Sequence, residues 1–186
     1  MHAPPLFYIH PPHGNLLRIL IMAQEIERKF LVCGDYKRWA IQSHRICQGY
    51  LCADAERTVR VRIRDQEGFL TIKGPSDASG ISRFEWEQAL PVGEAEDLLA
   101  LSMPGRIEKV RHVVEYGGHR FEVDEFMGEN AGLTVAEVEL SDAQEAVDLP
   151  PFIGTEVTGV TRYYNSQLMR HPFARWSEEE RSGRPI

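Results

Sequence analysis

The sequence predicts a mainly β protein of the α+β kind: an eight-stranded antiparallel β barrel or tunnel with a few surface helices. Three observations carry this. Apolar and charged residues alternate with period two through most of the chain, as in strands whose successive side chains point to opposite faces. Turn-prone stretches rich in Gly, Asn and Asp separate these runs, and segments with helical periodicity are few and short.

The 186 residues suit a single domain. Residues 1–21 are read as a disordered extension. The opening MHAPPLFYIHPPH has no Lys or Arg, so it lacks the basic start of a secretory signal. The longest strongly apolar stretch, Leu16–Ala23, contains Arg18 and falls well short of the ~20 residues that span a bilayer. The pattern changes at Met22, a candidate start codon, and the domain is expected over 22–176 with a polar tail at 177–186.

The first strand, EIERKFLV, sets Glu25, Glu27 and Lys29 on one face and Ile26, Arg28 and Phe30 on the other. A helix is expected over about 35–43, then a strand, ICQGYL, carrying Tyr50. RTVRVRIR opposes Arg60, Arg62 and Arg64 to Val59, Val61 and Ile63, and after a turn at DQEG, 65–68, FLTIKG brings Lys73. Beyond a loop at 74–80, RFEWEQAL opposes Arg83, Glu85 and Glu87 to Phe84 and Trp86, and Pro91 introduces a helix over about 93–101. EKVRHVV offers Lys109 and Arg111 against Val110 and Val114. The YGGH turn at 116–119 leads to HRFEVDEF, where Arg120, Glu122 and Asp124 oppose Phe121 and Val123. After the loop at 127–132, TVAEVEL sets Glu137 and Glu139 against Ala136, Val138 and Leu140. A last helix, about 163–170, is stopped by Pro172.

Composition narrows the function. A net charge of −7 disfavours sequence-blind binding of nucleic acid, which needs a basic surface. Three cysteines, odd in number and without a CxxC, argue against a disulfide framework or a structural zinc and favour a reducing, cytoplasmic setting. The chain has no GxxxxGK[ST], HExxH or GxSxG, and His112 and His119 read as strand and turn residues.

The charged faces are unusually pure, with consecutive acids on some strands and consecutive bases on others. A solvated sheet face is the ordinary reading. A barrel with these faces turned inward would instead gather acids and bases in one lumen, where like charges repel and lose hydration unless ions compensate them. Divalent cations such as Mg²⁺ or Mn²⁺ suit the carboxylates, and phosphate oxygens suit the guanidinium groups. A polyphosphate with its metal needs both.

The block EIERKF at 25–30 resembles the N-terminal ExExK signature of the CYTH domain, or triphosphate tunnel metalloenzyme, superfamily. RTVRVRI, FLTIKG, ISRFEWE, EKVR, FEVDEF, AEVEL and EVTGVTRYYNSQL follow in the order of the short microbial, tripolyphosphatase-like members. The resemblance implies an eight-stranded tunnel, a two-metal site for Mg²⁺ or Mn²⁺ and hydrolysis of a triphosphate. It implies metal ligands among Glu25, Glu27, Glu85, Glu87, Glu122, Asp124, Glu137 and Glu139. Lys29, Arg60, Arg62, Lys73, Lys109 and Arg111 would clamp the substrate, with Arg162, Tyr163 and Tyr50 as further contacts. Glu25, Glu27, Lys29, Arg60, Arg62, Lys73 and Arg162 would carry catalysis.

The family's substrates include inorganic tripolyphosphate, thiamine triphosphate, nucleoside or RNA triphosphates and, in cyclases, ATP. Inorganic tripolyphosphate, which needs no base or thiazole pocket, is the first expectation; a non-catalytic polyphosphate-binding module is the alternative from another class. The expected partner is this small molecule, not nucleic acid or membrane, with the protein a monomer or homodimer.

Overall fold

A computed structural model of the protein describes residues 23–54, 56–76 and 82–181. The expected extension at 1–21, the Met22 start, most of the 74–80 loop and the end of the tail lie outside these residues. The elements in chain order are β1 (Ala23–Val32), β2 (Gln42–Ala53), β3 (Thr58–Arg64), β4 (Glu67–Ser76), β5 (Ser82–Leu90), α1 (Val92–Ala100), β6 (Ile107–Tyr116), β7 (His119–Phe126), β8 (Thr134–Glu139), β9 (Ile153–Glu156), α2 (Asn165–Arg170) and α3 (Glu178–Arg181). No helix among the described residues is long and apolar enough to cross a membrane.

All pairings are antiparallel, in the order β5-β4-β3-β2-β6-β7-β8-β1-β9. The ends of the eight-strand run meet where Ala23–Ile26 of β1 pairs with 82–85 of β5. That seam is short. Beyond it the edge of β1 is taken by β9, through Phe30↔Glu156 and Val32↔Ile153, so closure is partial.

The eight predicted strands are β1–β8. The β9 strand was not anticipated, because four residues following Pro150 and Pro151 carry too little alternation to read. The helix expected over about 35–43 is a correction: only Lys37–Trp39 forms a 3-10 turn. Pairing of β2 with β6 already starts at Gln42↔Val113 and overrides the weak helical tendency. The expected tail turns into α3 at Glu178–Arg181.

Turn chemistry fixes the registers. The β6–β7 turn uses Gly117 and Gly118 at φ 58° and 81°, left-handed values that a two-residue hairpin turn of this hand requires. At Gly68, a side chain would meet the Ala95 Cβ at 2.7 Å, so its absence lets α1 lie against β4.

Apolar packing forms three clusters. Outside the wall, Phe30, Val114, Phe121, Val123 and Val138 pack under Phe152 and Tyr36. Ala95 and Leu99 of α1 cover Val61. The third cluster lies at one end of the charged faces. Ile107, Phe126 and Val135, in phase with Lys109, Asp124 and Glu137, pack with Tyr163, Leu168, Met169 and Trp176. Burial of such side chains is worth about 1.5–3 kcal/mol each. Thus the segment around α2 plugs one end of the barrel, and the polar lumen opens at the other.

Candidate active site

The lumen is a cavity of about 800 Å³. On the wall made by β1 and β6–β8, strand register sets like charges side by side: Glu27 faces Glu139, and Glu122 faces Glu137. Directly opposed like charges destabilise a sheet unless something lies between them. Here cations do. Lys29, 4% exposed, contacts Glu137 and lies 3.6 Å from Glu27 Oε1. Arg111 donates from Nε to Asp124 Oδ1 and from Nη2 to Asp124 Oδ2, both at 2.7 Å, and also reaches Glu137 at 3.2 Å and Glu122. Lys109 Nζ donates to Asp124 Oδ2 at 2.5 Å.

Ionisation follows from this packing. Burial favours neutral Glu137, but Lys29, Arg111 and Lys109 outweigh it and hold the carboxyl well below the usual range. Asp124 is lowered in the same way, burial being outweighed by Arg111 and Lys109. Burial opposes the Lys29 ammonium, yet Glu137 and Glu27 hold it above its ordinary value. Lys109 is pushed down to about 8 by burial, and the Arg111 charge beside it partly cancels the help from Asp124.

The wall made by β3–β5 is richer in cations. Arg60 Nη2 donates to Thr71 Oγ1 at 3.0 Å, and Thr71 donates to Glu87 Oε2 at 2.7 Å. Arg62 Nη2 reaches both Glu87 oxygens at 3.1 and 3.0 Å. Lys73 pairs with Glu85 at 2.8 Å, and Arg83 crosses to Glu27 at 3.1 Å. Arg62 and Arg64 stack on Phe69 at 5.1 and 5.0 Å. Burial and the neighbouring Arg60 charge push Arg62 down to about 10, which leaves it charged at neutral pH. Its Nε and that of Arg60 are buried and make no hydrogen bond among the described residues. Buried donors without partners are costly, and an anion in the cavity would relieve both the crowding and the missing bonds.

Of the residues expected in the site, Glu27, Lys29, Tyr50, Arg60, Arg62, Lys73, Glu85, Glu87, Arg111, Glu122, Glu137 and Glu139 line the cavity together. Glu25 keeps its strand position opposite Arg83, its side chain lying outside the description. Lys109 and Asp124, each 1% exposed, lie behind the lining and not in it. Tyr163 is a correction: at 2% exposure it belongs to the plug, because the 3-10 turn Thr161–Tyr163 turns it inward and presents Tyr164 to the cavity instead. Arg162 is not among the residues that line the cavity, and its guanidinium lies 5.2 Å from the Tyr163 ring and 5.8 Å from that of Trp176.

Residues 23–165 match the family model of the CYTH domain. The chain belongs to the CYTH domain family. It is 44% identical over 158 residues to an inorganic triphosphatase of Acetivibrio thermocellus, an alignment covering 84% of this chain and all of the relative. An inorganic triphosphatase of Nitrosomonas europaea is 36% identical over 149 residues, covering 77% of this chain and 95% of the relative. A solved crystal structure of an inorganic triphosphatase superposes with a TM-score of 0.55 at 34% identity, covering 80% of this chain and 95% of that one.

The CYTH lumen also contains residues that the sequence reading did not select. Arg64, Arg83 and Arg120 share strand phase with the chosen residues, so alternation alone would have found them. His44 fell between the helix expected to about 43 and the strand expected from Ile46, whereas β2 already starts at Gln42 and carries it on the lumen face. His119, Ser141 and Glu145 meet at the mouth through loop geometry: Glu145 accepts from the Ser141 hydroxyl and backbone at 2.7 Å each and lies 2.9 Å from His119 Nε2. The Ser141 and His119 contacts hold Glu145 down to about 2.

Among the described residues, no three His, Cys, Asp or Glu side chains are drawn together as around a bound cation. The donor chemistry nevertheless suits a hard divalent ion. The register-opposed pairs Glu27–Glu139 and Glu122–Glu137 offer carboxylate oxygens on adjacent strands, and Glu27, Glu122 and Glu137 are partnered by side-chain cations whose neutralising charge an ion could supply instead.

Proposed function

We propose that this protein is a metal-dependent phosphohydrolase that cleaves the terminal phosphoanhydride of inorganic tripolyphosphate inside the charged lumen. The observation carrying this reading is the pair of buried Arg60 and Arg62 Nε donors without a partner among the described residues, on a cation-rich wall facing a wall of paired acids. The naming of the two relatives as inorganic triphosphatases supports the reaction class. Tyr50 and Tyr164 are the aromatic residues among the described lining, and the rest of that lining is polar, charged or glycine. Such a lining suits an inorganic chain better than a nucleoside or thiamine.

In this reading Glu27, Glu139, Glu122 and Glu137 would hold Mg²⁺ or Mn²⁺, with Glu85, Glu87 and Glu25 as further acids near it. A bound divalent cation supplies charge neutralisation and an acidified water. Arg60, Arg62, Lys73 and Arg111 orient the phosphates and take up the charge that develops on the transferring group and the leaving pyrophosphate. Lys29 keeps Glu137 ionised before substrate enters. The free cysteines Cys33, Cys47 and Cys52 are in keeping with a cytoplasmic setting.

The test is orthophosphate release from tripolyphosphate, ATP, thiamine triphosphate and pyrophosphate, with Mg²⁺, Mn²⁺ or EDTA. Selective, EDTA-sensitive turnover of tripolyphosphate is expected. Pyrophosphate released from ATP would replace this reading with a cyclase, and tight binding of tripolyphosphate without phosphate release would replace it with a binding module.

A further inference from the structure

His44 lies on β2 at the open mouth, opposite Arg111 in register, and its side chain lines the cavity. Its Nδ1 is 2.7 Å from Asp65 Oδ2, while Asp65 Oδ1 accepts the Arg45 backbone N–H at 2.8 Å. Asp65 sits in the two-residue turn between β3 and β4 at φ 54°, a left-handed conformation that Asp tolerates better than most residues. The turn thereby folds the carboxylate back onto β2. An ionised carboxylate only accepts hydrogen bonds, so in the neutral ring Nδ1 carries the proton and Nε2 offers its lone pair to the cavity.

Other lumen groups are occupied differently. Glu27, Glu85, Glu87, Glu122 and Glu137 each face a Lys or Arg. For Glu87 and Glu137 these cations outweigh burial and hold the carboxyl below the usual range, which makes it a weaker proton acceptor. His119 is engaged at both nitrogens, by Gly117 O at 3.2 Å and Glu145 at 2.9 Å. His44, by contrast, makes its one side-chain hydrogen bond through Nδ1 among the described residues, and imidazole is the side chain suited to exchange a proton near neutral pH.

We propose that His44, oriented by Asp65, is the general base for hydrolysis in this lumen, an inference that rests on the triphosphatase reading above. The water oxygen forms the new bond to the terminal phosphorus as the bond to the bridging oxygen breaks. The bridging oxygen leaves on pyrophosphate with that electron pair, and the water proton passes to His44 Nε2. The ring, 26% exposed, then returns the proton to solvent through the mouth. The charged groups flanking it are Arg64 and Asp65 on β3 and its turn, and Arg111 on β6 with Lys109 behind it. Asp65 is a positioning residue.

The experiment measures kcat and KM for tripolyphosphate with Mg²⁺ over roughly pH 5–9 in wild type, His44→Gln, His44→Ala and Asp65→Asn. His44→Gln should lower kcat about 100-fold and remove the acid limb of the kcat profile, with KM within about twofold of wild type. Added imidazole should restore part of the His44→Ala rate, and Asp65→Asn should lower kcat less and displace the limb. An unchanged kcat and acid limb in His44→Gln would overturn the proposal and leave the triphosphatase reading standing. A lower rate with the acid limb intact and no response to imidazole would mark His44 as structural and overturn it equally. A folded wild type that releases no phosphate would overturn the triphosphatase reading itself.

Discussion

On the wall formed by β1 and β6–β8, Lys29, Lys109 and Arg111 are interleaved with Glu27, Glu122, Asp124 and Glu137, so most buried charges meet an opposite one. On the wall formed by β3–β5, Arg60, Arg62 and Arg64 converge with Lys73 and Arg83, while Glu67, Glu85 and Glu87 are the acids in phase with them. The same alternating strand pattern thus yields a self-neutralised wall and a wall with surplus positive charge. The first holds the fold together without a ligand. The second would be completed by an anion, and Arg62, lowered by burial and by the neighbouring Arg60 charge, shows the cost of its absence.

The largest effect should come from breaking the neutralised wall. Asp124→Asn leaves Lys109 and Arg111 buried against a neutral amide and should cost about 3–5 kcal/mol in urea unfolding. If stability changed by less than about 1 kcal/mol, the matching on that wall would be incidental. On the other wall, Arg62→Ala should leave stability nearly unchanged. It should lower kcat/KM for tripolyphosphate by about 100-fold or more, roughly 2.7 kcal/mol of barrier. Normal turnover in that variant would remove the β3–β5 wall from the mechanism.

Titration sharpens the contrast. Asp124 and Glu137 have lowered values in the folded protein, so their stabilisation is present above the ordinary carboxylate range of about 4 and is lost as pH falls through their lower folded values. Lys109 has the opposite sign. Its folded value of about 8 lies below that of the unfolded chain, so its unfavourable contribution is complete below pH 8 and fades as pH rises toward about 10.4. The melting temperature of the metal-free protein should therefore drop by several degrees on acidification below about pH 4. The Lys109 contribution should rise across the alkaline range and disappear in Lys109→Met. The smallest effect belongs outside the lumen. Glu156→Gln, which breaks the 2.6 Å pair between Arg28 and β9, should cost less than about 1 kcal/mol in urea unfolding, the pair being partly exposed.

Much of this was legible in the sequence because period two is a local signal. Arg60, Arg62, Glu137 and Glu139 could be placed on one strand face without knowing which strands were neighbours. What could not be read was depth along the barrel. Lys109 and Asp124 share phase with Arg111 and Glu122 but stand one step nearer the plug, which removes them from the cavity. Tyr163 and Tyr164 are adjacent, and only the 3-10 turn decides which one is core and which faces the lumen. The Asp65–His44 and Glu145–His119 contacts join residues whose meeting depends on turn conformation and a long connection, for which alternation holds no signal.

The division of labour between the walls is tested most directly by Mn²⁺ titration followed by electron paramagnetic resonance, with and without tripolyphosphate, in Glu27→Gln/Glu139→Gln and in Arg60→Ala/Arg62→Ala. The account predicts that the acid variant loses Mn²⁺ affinity. The arginine variant should bind Mn²⁺ as wild type does and lose the tightening that tripolyphosphate brings. Equal loss of Mn²⁺ affinity in both variants, or none in the acid variant, would contradict it.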